Sequence, residues 1–376
     1  MIVGYESLLT GPRETGVGLV VGELLQGLAS MRDDVRLVVY VTPKSRWRLP
    51  EGEHIEYRTS RFAGVCRATR IMWQQLLAPR LDARRVDLYH ATGYVLSGFP
   101  FAVPTVVSIY DTTALEYPRL TRWPNAVHFK FAVPRGARAA GSIIVPTRHA
   151  ACRVEALLGT KTNPIYVIPP GVAQEFTAPR TTKPAGKPQE PYLLFVGNLE
   201  RKKNLPFLVR LLKELRSRGN NVRLVLAGAP GNAAGELAAL AKAEGVQEAI
   251  TFTGYLKRYE LAGLYRNALM LLYPSLDEGF GLPPVEAMAC GTPVVASNAG
   301  AIPEVTAGAA TLLDPRDAGA WIEAVEGLMK NRECLDRLRE LGFERAREFT
   351  WERTTRKVVD VYKETIARDS REVHVK

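Results

Sequence analysis

Short runs of β-branched and aliphatic residues alternate with longer stretches of helical periodicity from one end of the chain to the other. That alternation leaves few folds open. Strand, helix and strand close as a βαβ unit, and a succession of such units builds a parallel sheet covered on both faces. The pattern places strands at 2–5, 35–41, 55–58, 88–91, 105–109, 142–145 and 166–168 in the first half. In the second half they fall at 192–196, 223–227, 250–253, 269–273, 294–297 and 310–313. Between the two sets, residues 173–191 lose apolar periodicity and gather four prolines, which signals a change of domain. The expectation is an α/β protein of two doubly wound, Rossmann-like domains, 1–172 and 191–351, joined by a linker at 173–190 and facing a central cleft. A chain of 376 residues suits two domains of ordinary size. Ligands of such sheets bind outside the carboxyl ends of the strands, so the chemistry belongs in the loops that follow them.

One such loop is Tyr273-Pro-Ser-Leu-Asp-Glu-Gly-Phe-Gly-Leu-Pro-Pro-Val-Glu286, running from a strand into a helix. Gly279 and Gly281 allow a ligand close to the backbone, and Pro283 has the torsion preferred at the first helical position. The helix N-terminus favours an anion, but Pro283 and Pro284 carry no N–H. The donors are then the amides of Phe280, Gly281 and Leu282, a phosphate cradle without a lysine loop. Glu278 and Glu286 flank it. Two carboxylates beside a phosphate repel it unless each faces something else, and vicinal hydroxyls of a sugar or ribose are natural partners. The plain alternative for Glu286 is support of the helix N-terminus through the dipole.

A second loop, Gly197-Asn-Leu-Glu-Arg-Lys-Lys-Asn204, also follows a strand. Arg201, Lys202 and Lys203 can compensate a diphosphate and stabilise charge on a departing phosphate. Gly16 and Gly18, in Thr15-Gly-Val-Gly with Gly22 beyond, suit an approach to phosphate or an ordinary tight turn. His90, Tyr110 and Asp111 stand at strand ends on the acceptor or sugar side, where each can also be satisfied internally.

The net charge of +11 is localised. Residues 44–85 hold ten basic against four acidic residues, 118–138 hold five basic and no acidic one, and these two windows account for the whole excess. Both carry aromatics (Trp47, Tyr57, Phe62 and Trp73; Trp123, Phe129 and Phe131), a mixture suited to an anionic membrane surface, an anionic acceptor or nucleic acid, the last ranking lowest. A solvated basic face is the bland alternative. Cys66, Cys152, Cys290 and Cys334 lie far apart and form neither a disulfide framework nor a zinc pattern. The first residues, MIVGYESLLTG, show no basic stretch followed by an apolar run, and no run of about 18 apolar residues occurs, so neither export by that route nor a membrane span is expected. The expected location is the cytoplasm, with peripheral attachment to the inner face of the membrane. P-loop, nucleophile-elbow, zincin and D-x-D metal motifs are missing, which disfavours kinase, hydrolase and metal-dependent chemistry.

The segments EGFGLPPVEAMACGTPVVAS (278–297), GNLERKKN (197–204), VIPPGV (167–172) and TGVG (15–18) resemble the retaining glycosyltransferases of family 4, which have the GT-B fold. The resemblance implies that Glu278 contacts the donor sugar and Glu286 the ribose hydroxyls. It assigns the amides of Phe280, Gly281 and Leu282 to the sugar and distal phosphate, and Gly197 and the cations after it to the diphosphate. It also implies that the final helix, 352–367, crosses back to pack on the first domain; the polar tail after Arg368 is expected to fray on its own composition. The family's Pro-Arg-Lys-Asn reads Arg201-Lys202-Lys203-Asn204 here, so the arginine has shifted by one position or given way to Lys202. Tyr110 stands where many relatives have histidine before Asp111. The implied reaction is metal-independent and cofactor-free. It moves a hexose from GDP-mannose, or from another nucleoside-diphosphate hexose such as a UDP-hexose, to a glycan or lipid-linked acceptor. A nucleotide-sugar epimerase and a basic nucleic-acid-binding protein remain the rival classes.

Overall fold

The structure, a computed structural model, describes residues 1–10, 16–45, 49–80, 85–117, 123–159, 163–177 and 191–375, with backbone only at 79, 114, 123–128 and 372–375. Thr15, most of the expected linker (178–190), five cations of the basic windows (Arg46, Arg48, Arg84, Arg119, Arg122) and Trp47 lie outside the described residues, as does the side chain of Trp123. The chain divides into two compact units, Met1–Gly171 with Thr350–Lys376, and Val172–Phe349.

The first unit holds β1 (Ile2–Glu6), α1 (Gly16–Ser30), β2 (Arg36–Val41), β3 (Ile55–Thr59) and α2 (Arg67–Met72), the last running into a π-type turn at Trp73–Leu77. It continues through β4 (Leu88–Ala91), β5 (Thr105–Ser108), α3 (Thr113–Glu116), α4 (Trp123–Ala139), β6 (Ser142–Val145), α5 (Arg148–Leu158) and β7 (Ile165–Val167). The second unit contributes α6 (Gln174–Thr177), β8 (Tyr192–Val196), α7 (Leu205–Ser217), β9 (Arg223–Ala227), α8 (Ala234–Ala243) and β10 (Ile250–Gly254). Then come α9 (Arg258–Asn267), β11 (Met270–Tyr273), α10 (Leu282–Ala289), β12 (Val294–Ser297), α11 (Ile302–Thr306), β13 (Thr311–Leu313), α12 (Ala318–Lys330) and α13 (Arg332–Ala346). The chain closes with α14 (Trp351–Val375), back in the first unit. All thirteen strands stand where the alternation put them, within a residue or two.

Every strand pair is parallel, in the orders β3-β2-β1-β4-β5-β6-β7 and β10-β9-β8-β11-β12-β13. Each sheet therefore starts in the middle, grows to one edge and returns to grow to the other. The direction reverses between β1 and β4 in one sheet and between β8 and β11 in the other. At that switch the loops leaving neighbouring strands part to opposite faces, which opens a crevice at their carboxyl ends.

Covering helices on both faces explain the composition of the strands. All five residues of β8, Tyr-Leu-Leu-Phe-Val, are buried, as parallel strands between two helical layers require. On α7, Leu205, Leu208, Val209, Leu212 and Leu215 recur at three- and four-residue intervals and are buried together, each worth roughly 1.5–3 kcal/mol of apolar burial. Side-chain caps set several helix starts. Thr147, Asp317 and Asn331 accept from the amides of Ala150, Ala320 and Cys334 at 3.0–3.1 Å, each worth about 1 kcal/mol.

Two expectations are corrected. Helix α14 does not fray after Arg368; it continues to Val375, since nothing in 369–375 is a glycine or proline that would stop it. The first residues assigned to the linker are packed rather than free, because Ala173 and Phe176 are apolar enough to join the second core. The Phe176 ring meets Tyr265 edge-on at 5.8 Å. The inner face of α14 (Val358, Val359, Val361 and Tyr362) shares a core with Val21, Leu24, Leu25 and Leu28.

Candidate functional site

The switch point of the second sheet collects the charged side chains. After β8 the chain passes Gly197 and makes a 3₁₀ turn at Arg201–Lys203. Three residues per turn splay consecutive side chains about 120° apart, so three adjacent cations cannot share one target. Arg201 turns outward. Its guanidinium pairs with Glu236 of α8 on the surface, and its amide donates to Asn232 Oδ1 at 3.0 Å. The role expected of Arg201 thus finds no support in this arrangement. Lys202 lends its carbonyl to the amide of Leu276 at 2.9 Å and its charge to the field at Glu278. Lys203 turns inward, 9% exposed.

Glu278, Lys203 and Tyr273 form a closed triangle. Lys203 Nζ is ion-paired with Glu278 Oε1 and donates to the Tyr273 phenol at 2.8 Å, and that phenol donates to Glu278 Oε1 at 2.9 Å. The ammonium also lies 5.0 Å from the Tyr273 ring centre, within cation–π range. Burial presses the Glu278 carboxyl upward, but Lys203 and then Lys202 outweigh it and hold the pKa at about 2. The carboxylate is therefore fully ionised inside the protein, the condition under which a buried charge demands a partner.

Gly300 makes this loop buildable. Its φ of +59° suits glycine, and a Cβ there would lie 2.7 Å from the Glu278 amide nitrogen and 2.8 Å from its carbonyl oxygen. The amide of Ala301 then holds the Glu278 carbonyl at 3.0 Å. Gly281, with φ of +97°, caps α10, and a Cβ there would fall 2.6 Å from Ile302 Cδ1. Pro283 and Pro284 follow in the first turn. Among the described residues nothing accepts from the amides of Phe280, Gly281 and Leu282. The Phe280 ring is buried edge-on against Phe349 at 5.5 Å, so only its main chain is offered. One turn into α10, Glu286 Oε2 accepts from the Tyr265 phenol at 2.9 Å. Each carboxylate expected to read sugar hydroxyls thus meets a buried tyrosine hydroxyl.

In the first unit the expected residues have other employment. His90 is fully buried. Its Nδ1 lies 2.7 Å from the Tyr362 hydroxyl and its Nε2 2.9 Å from Ser108 Oγ, and burial lowers its pKa to about 3. With both nitrogens occupied and the ring neutral, His90 ties α14 to β4 and β5, which corrects its placement on the sugar side. Asp111 accepts from the Thr113 amide at 3.1 Å and from the Tyr94 hydroxyl at 3.3 Å. The Tyr110 hydroxyl is buried without a partner among the described residues, and its ring meets Tyr94 edge-on at 5.4 Å. Gly16 and Gly18 lie in the first turn of α1, Gly16 exposed and Gly18 buried, rather than in a loop.

Sequence reading passed over Tyr273, Tyr265, Gly300, Tyr94 and Glu6. Tyr94 has a φ of +68°, strained for a bulky residue. Glu6 ends β1, accepts from Gln74 Nε2 and from the Tyr89 hydroxyl at 2.9 Å, and is raised by burial to about 7. An acid closing an otherwise apolar strand was the available signal for it. Among the described residues no three His, Cys, Asp or Glu side chains gather as metal ligands, and no helix is long and apolar enough to cross a membrane.

Comparison with known proteins bears on these loops. The family model for glycosyltransferase family 4 matches residues 15–176, and that for glycosyl transferases group 1 matches 179–345. A D-inositol 3-phosphate glycosyltransferase of Xylanimonas cellulosilytica is 34% identical over 246 residues, 61% of this chain and 58% of the relative. The O-antigen chain mannosyltransferase B of Escherichia coli is 34% identical over 46% of this chain and 45% of its own. The chain thus spans about half the length of the curated relatives it matches. Among solved structures, sucrose-phosphate synthase from Thermosynechococcus elongatus superposes with a TM-score of 0.77 at 21% identity, over 98% of this chain and all of the other. Anabaena HepE, solved with UDP-glucose, gives 0.74 at 18% identity over 97% and 100%. These structures share the GT-B architecture.

Proposed function

Since the chain belongs to glycosyltransferase family 4, we propose that it moves a hexose, with mannose favoured, from a nucleoside-diphosphate sugar to a glycan or lipid-linked acceptor. The reaction retains anomeric configuration and needs no metal. The observation that carries the reading is the buried Lys203–Glu278–Tyr273 triangle beside three consecutive amides without an internal acceptor, at the switch point of a doubly wound sheet. Mannose draws support from the name of the E. coli relative, and a UDP-hexose is the rival donor because HepE was solved with UDP-glucose.

On this reading the donor diphosphate lies against the amides of Phe280, Gly281 and Leu282, and Lys203 exchanges Glu278 for a phosphate oxygen. Glu278, released, accepts from the sugar hydroxyls, while Glu286 exchanges Tyr265 for the ribose. The acceptor hydroxyl attacks the anomeric carbon on the face the phosphate is leaving. The carbon–phosphate-oxygen bond breaks, the new glycosidic bond forms, and the acceptor proton passes to the departing phosphate. Lys203 and the three amides then hold charge that grows in the transition state, where a fixed donor contributes most. The work is done in the cytoplasm, peripherally at the inner face of an anionic membrane.

A thermal-shift panel of GDP, UDP and their hexoses tests the donor. A ligand at about 100 times its Kd adds roughly 2.7 kcal/mol of stability, and GDP-mannose is expected to give the largest rise. Product anomers read by NMR decide retention, and release of free epimerised nucleotide-sugar without acceptor would sink the transferase reading.

A further inference from the structure

Cations and exposed apolar side chains gather on three adjoining elements of the first unit. The π-type turn at Trp73–Leu77 buries Trp73 and Gln74 but leaves Leu76 and Leu77 about 40% exposed, with Met72 before them 50% exposed. Alongside lies the loop after β4, joined through Ser97 Oγ, which donates to the Gln75 carbonyl at 2.8 Å. That loop in turn lies on α4. A Cβ on Gly136 would fall 2.5 Å from the Leu96 carbonyl oxygen, and one on Gly98 would lie 3.4 Å from the Arg135 side chain. The loop and α4 present Phe99 and Phe131, each 56% exposed. Three elements are thus edge to edge, and each offers a large apolar side chain to solvent.

Their charge has one sign. Residues 61–80, 94–110 and 123–139 contain no aspartate or glutamate, while Arg80, Lys130 and Arg135 are exposed on these same elements. Exposed apolar area among these cations is the combination that an anionic bilayer answers, headgroups meeting the cations and acyl chains the leucines and phenylalanines. Nucleic acid would use the cations, but aliphatic Met72, Leu76 and Leu77 have nothing to stack on a base. The π-type turn, a rare conformation, keeps Leu76 and Leu77 outside while Gln74 is anchored on Glu6 at the carboxyl end of β1.

We infer that this face, built from the turn after α2, the loop after β4 and α4, docks on the surface of an anionic phospholipid bilayer. It deepens the proposed membrane attachment and lipid-linked acceptor by naming the surface. The face adjoins the carboxyl end of β1, where a doubly wound sheet takes its ligands.

Co-sedimentation with vesicles of mixed phosphatidylglycerol and phosphatidylcholine, against phosphatidylcholine alone, tests it. The wild-type chain is expected on the anionic vesicles only and to come off in high salt. Reversal of charge in R80E/K130E/R135E lowers partition at least 100-fold, at about fivefold per cation near the surface. The apolar variant L76S/L77S/F99S lowers it about tenfold. Both should keep the wild-type melting temperature and its rise with nucleoside diphosphate. A second readout needs no surface variant. In a C152S/C334S background, exposed Cys66 at the start of α2 takes an environment-sensitive dye, whose emission should shift to the blue on anionic vesicles. Equal binding to neutral vesicles, variants that bind like wild type, a dye that does not respond, or capture of random RNA in place of vesicles would each overturn the assignment. Nucleotide-induced stabilisation, read in parallel, reports on the transferase assignment separately.

Discussion

Near the switch point of each sheet a buried glutamate meets a buried tyrosine, Glu6 at the end of β1 and Glu278 in the loop after β11, and the two carboxyls are shifted in opposite directions. In the second unit Glu278 meets Tyr273 and is held at about 2; in the first, Glu6 meets Tyr89 and is raised to about 7. Both are buried. The difference is a lysine. Lys203 reaches Glu278 with its ammonium, whereas Glu6 has a neutral amide, Gln74, and feels Arg70 only as its smallest contribution. A buried carboxyl without a cation holds its proton up to near neutral pH, while one with a cation stays ionised and can exchange partners when a charged ligand arrives.

Removing the lysine should collapse the comparison, and it carries the largest expected effect. Lys203→Met takes away the cation that stabilises the leaving phosphate and strands Glu278, so kcat/KM should fall by about 10²–10³. The carboxyl should then titrate upward toward the behaviour of Glu6, which an NMR titration with carbon-labelled glutamate can follow. An unchanged kcat/KM would remove Lys203 from the chemistry, and an unchanged titration would remove it as the cause of the depressed pKa.

The first unit sharpens the comparison through pH. Glu6 has a folded pKa of about 7 against 4.5 unfolded, so it binds more protons when folded. Its contribution is fully present below pH 4.5 and is lost as pH rises to 7, about 3 kcal/mol in all. His90, lowered from 6.5 to about 3, has the opposite sign. It binds fewer protons when folded, and its contribution is lost as pH falls below 6.5. Between pH 4.5 and 6.5 the two slopes, each about 1.4 kcal/mol per unit, should cancel. Denaturation midpoints across that window should be nearly flat for the wild type. Glu6→Gln should expose the histidine slope, with stability falling on acidification. A flat Glu6→Gln profile would mean that His90 titrates normally.

These pairs mark how far the sequence could be read. The strands were legible because parallel strands covered on both faces are apolar throughout, and the loop at 278–286 because glycines, prolines and acids crowd a single turn. Arg201, Lys202 and Lys203 look alike on paper; only the 3₁₀ turn shows Arg201 paired with Glu236 on the surface while the two lysines bear on Glu278. His90 was misread because its partner, Tyr362, lies 272 residues away in sequence. Tyr273 ends its strand exactly as an ordinary core tyrosine would; only the fold shows its hydroxyl between an ammonium and a carboxylate. Gly300 is visible only once its neighbour Glu278 is in place.

Tyrosine-to-phenylalanine substitutions in the two units make a matched pair. Tyr273→Phe leaves the Lys203–Glu278 ion pair but removes the hydroxyl that fixes it. We expect kcat to fall about tenfold, at the low end of the effect of removing a hydrogen bond to a charged group. Conversely, Tyr89→Phe should leave transfer unaltered. A loss of kcat equal to that of Tyr273→Phe would mean that the tyrosines share a packing role and that the triangle has no special place in the reaction.

The smallest effect is the stability change in Tyr89→Phe. The phenol donates to Glu6 Oε2 and is among the influences that lower the carboxyl's pKa, so its loss should move the Glu6 titration above 7. Folding stability should drop by about 1 kcal/mol near neutral pH, the net worth of one buried hydrogen bond. Because the donor favours the ionised carboxylate, the deficit should be smaller at pH 5, where Glu6 is protonated in the folded chain, and larger at pH 8. A deficit equal at both pH values would show that the phenol acts through packing alone, and the contrast between the two glutamates would then rest on Lys203 without help from either tyrosine.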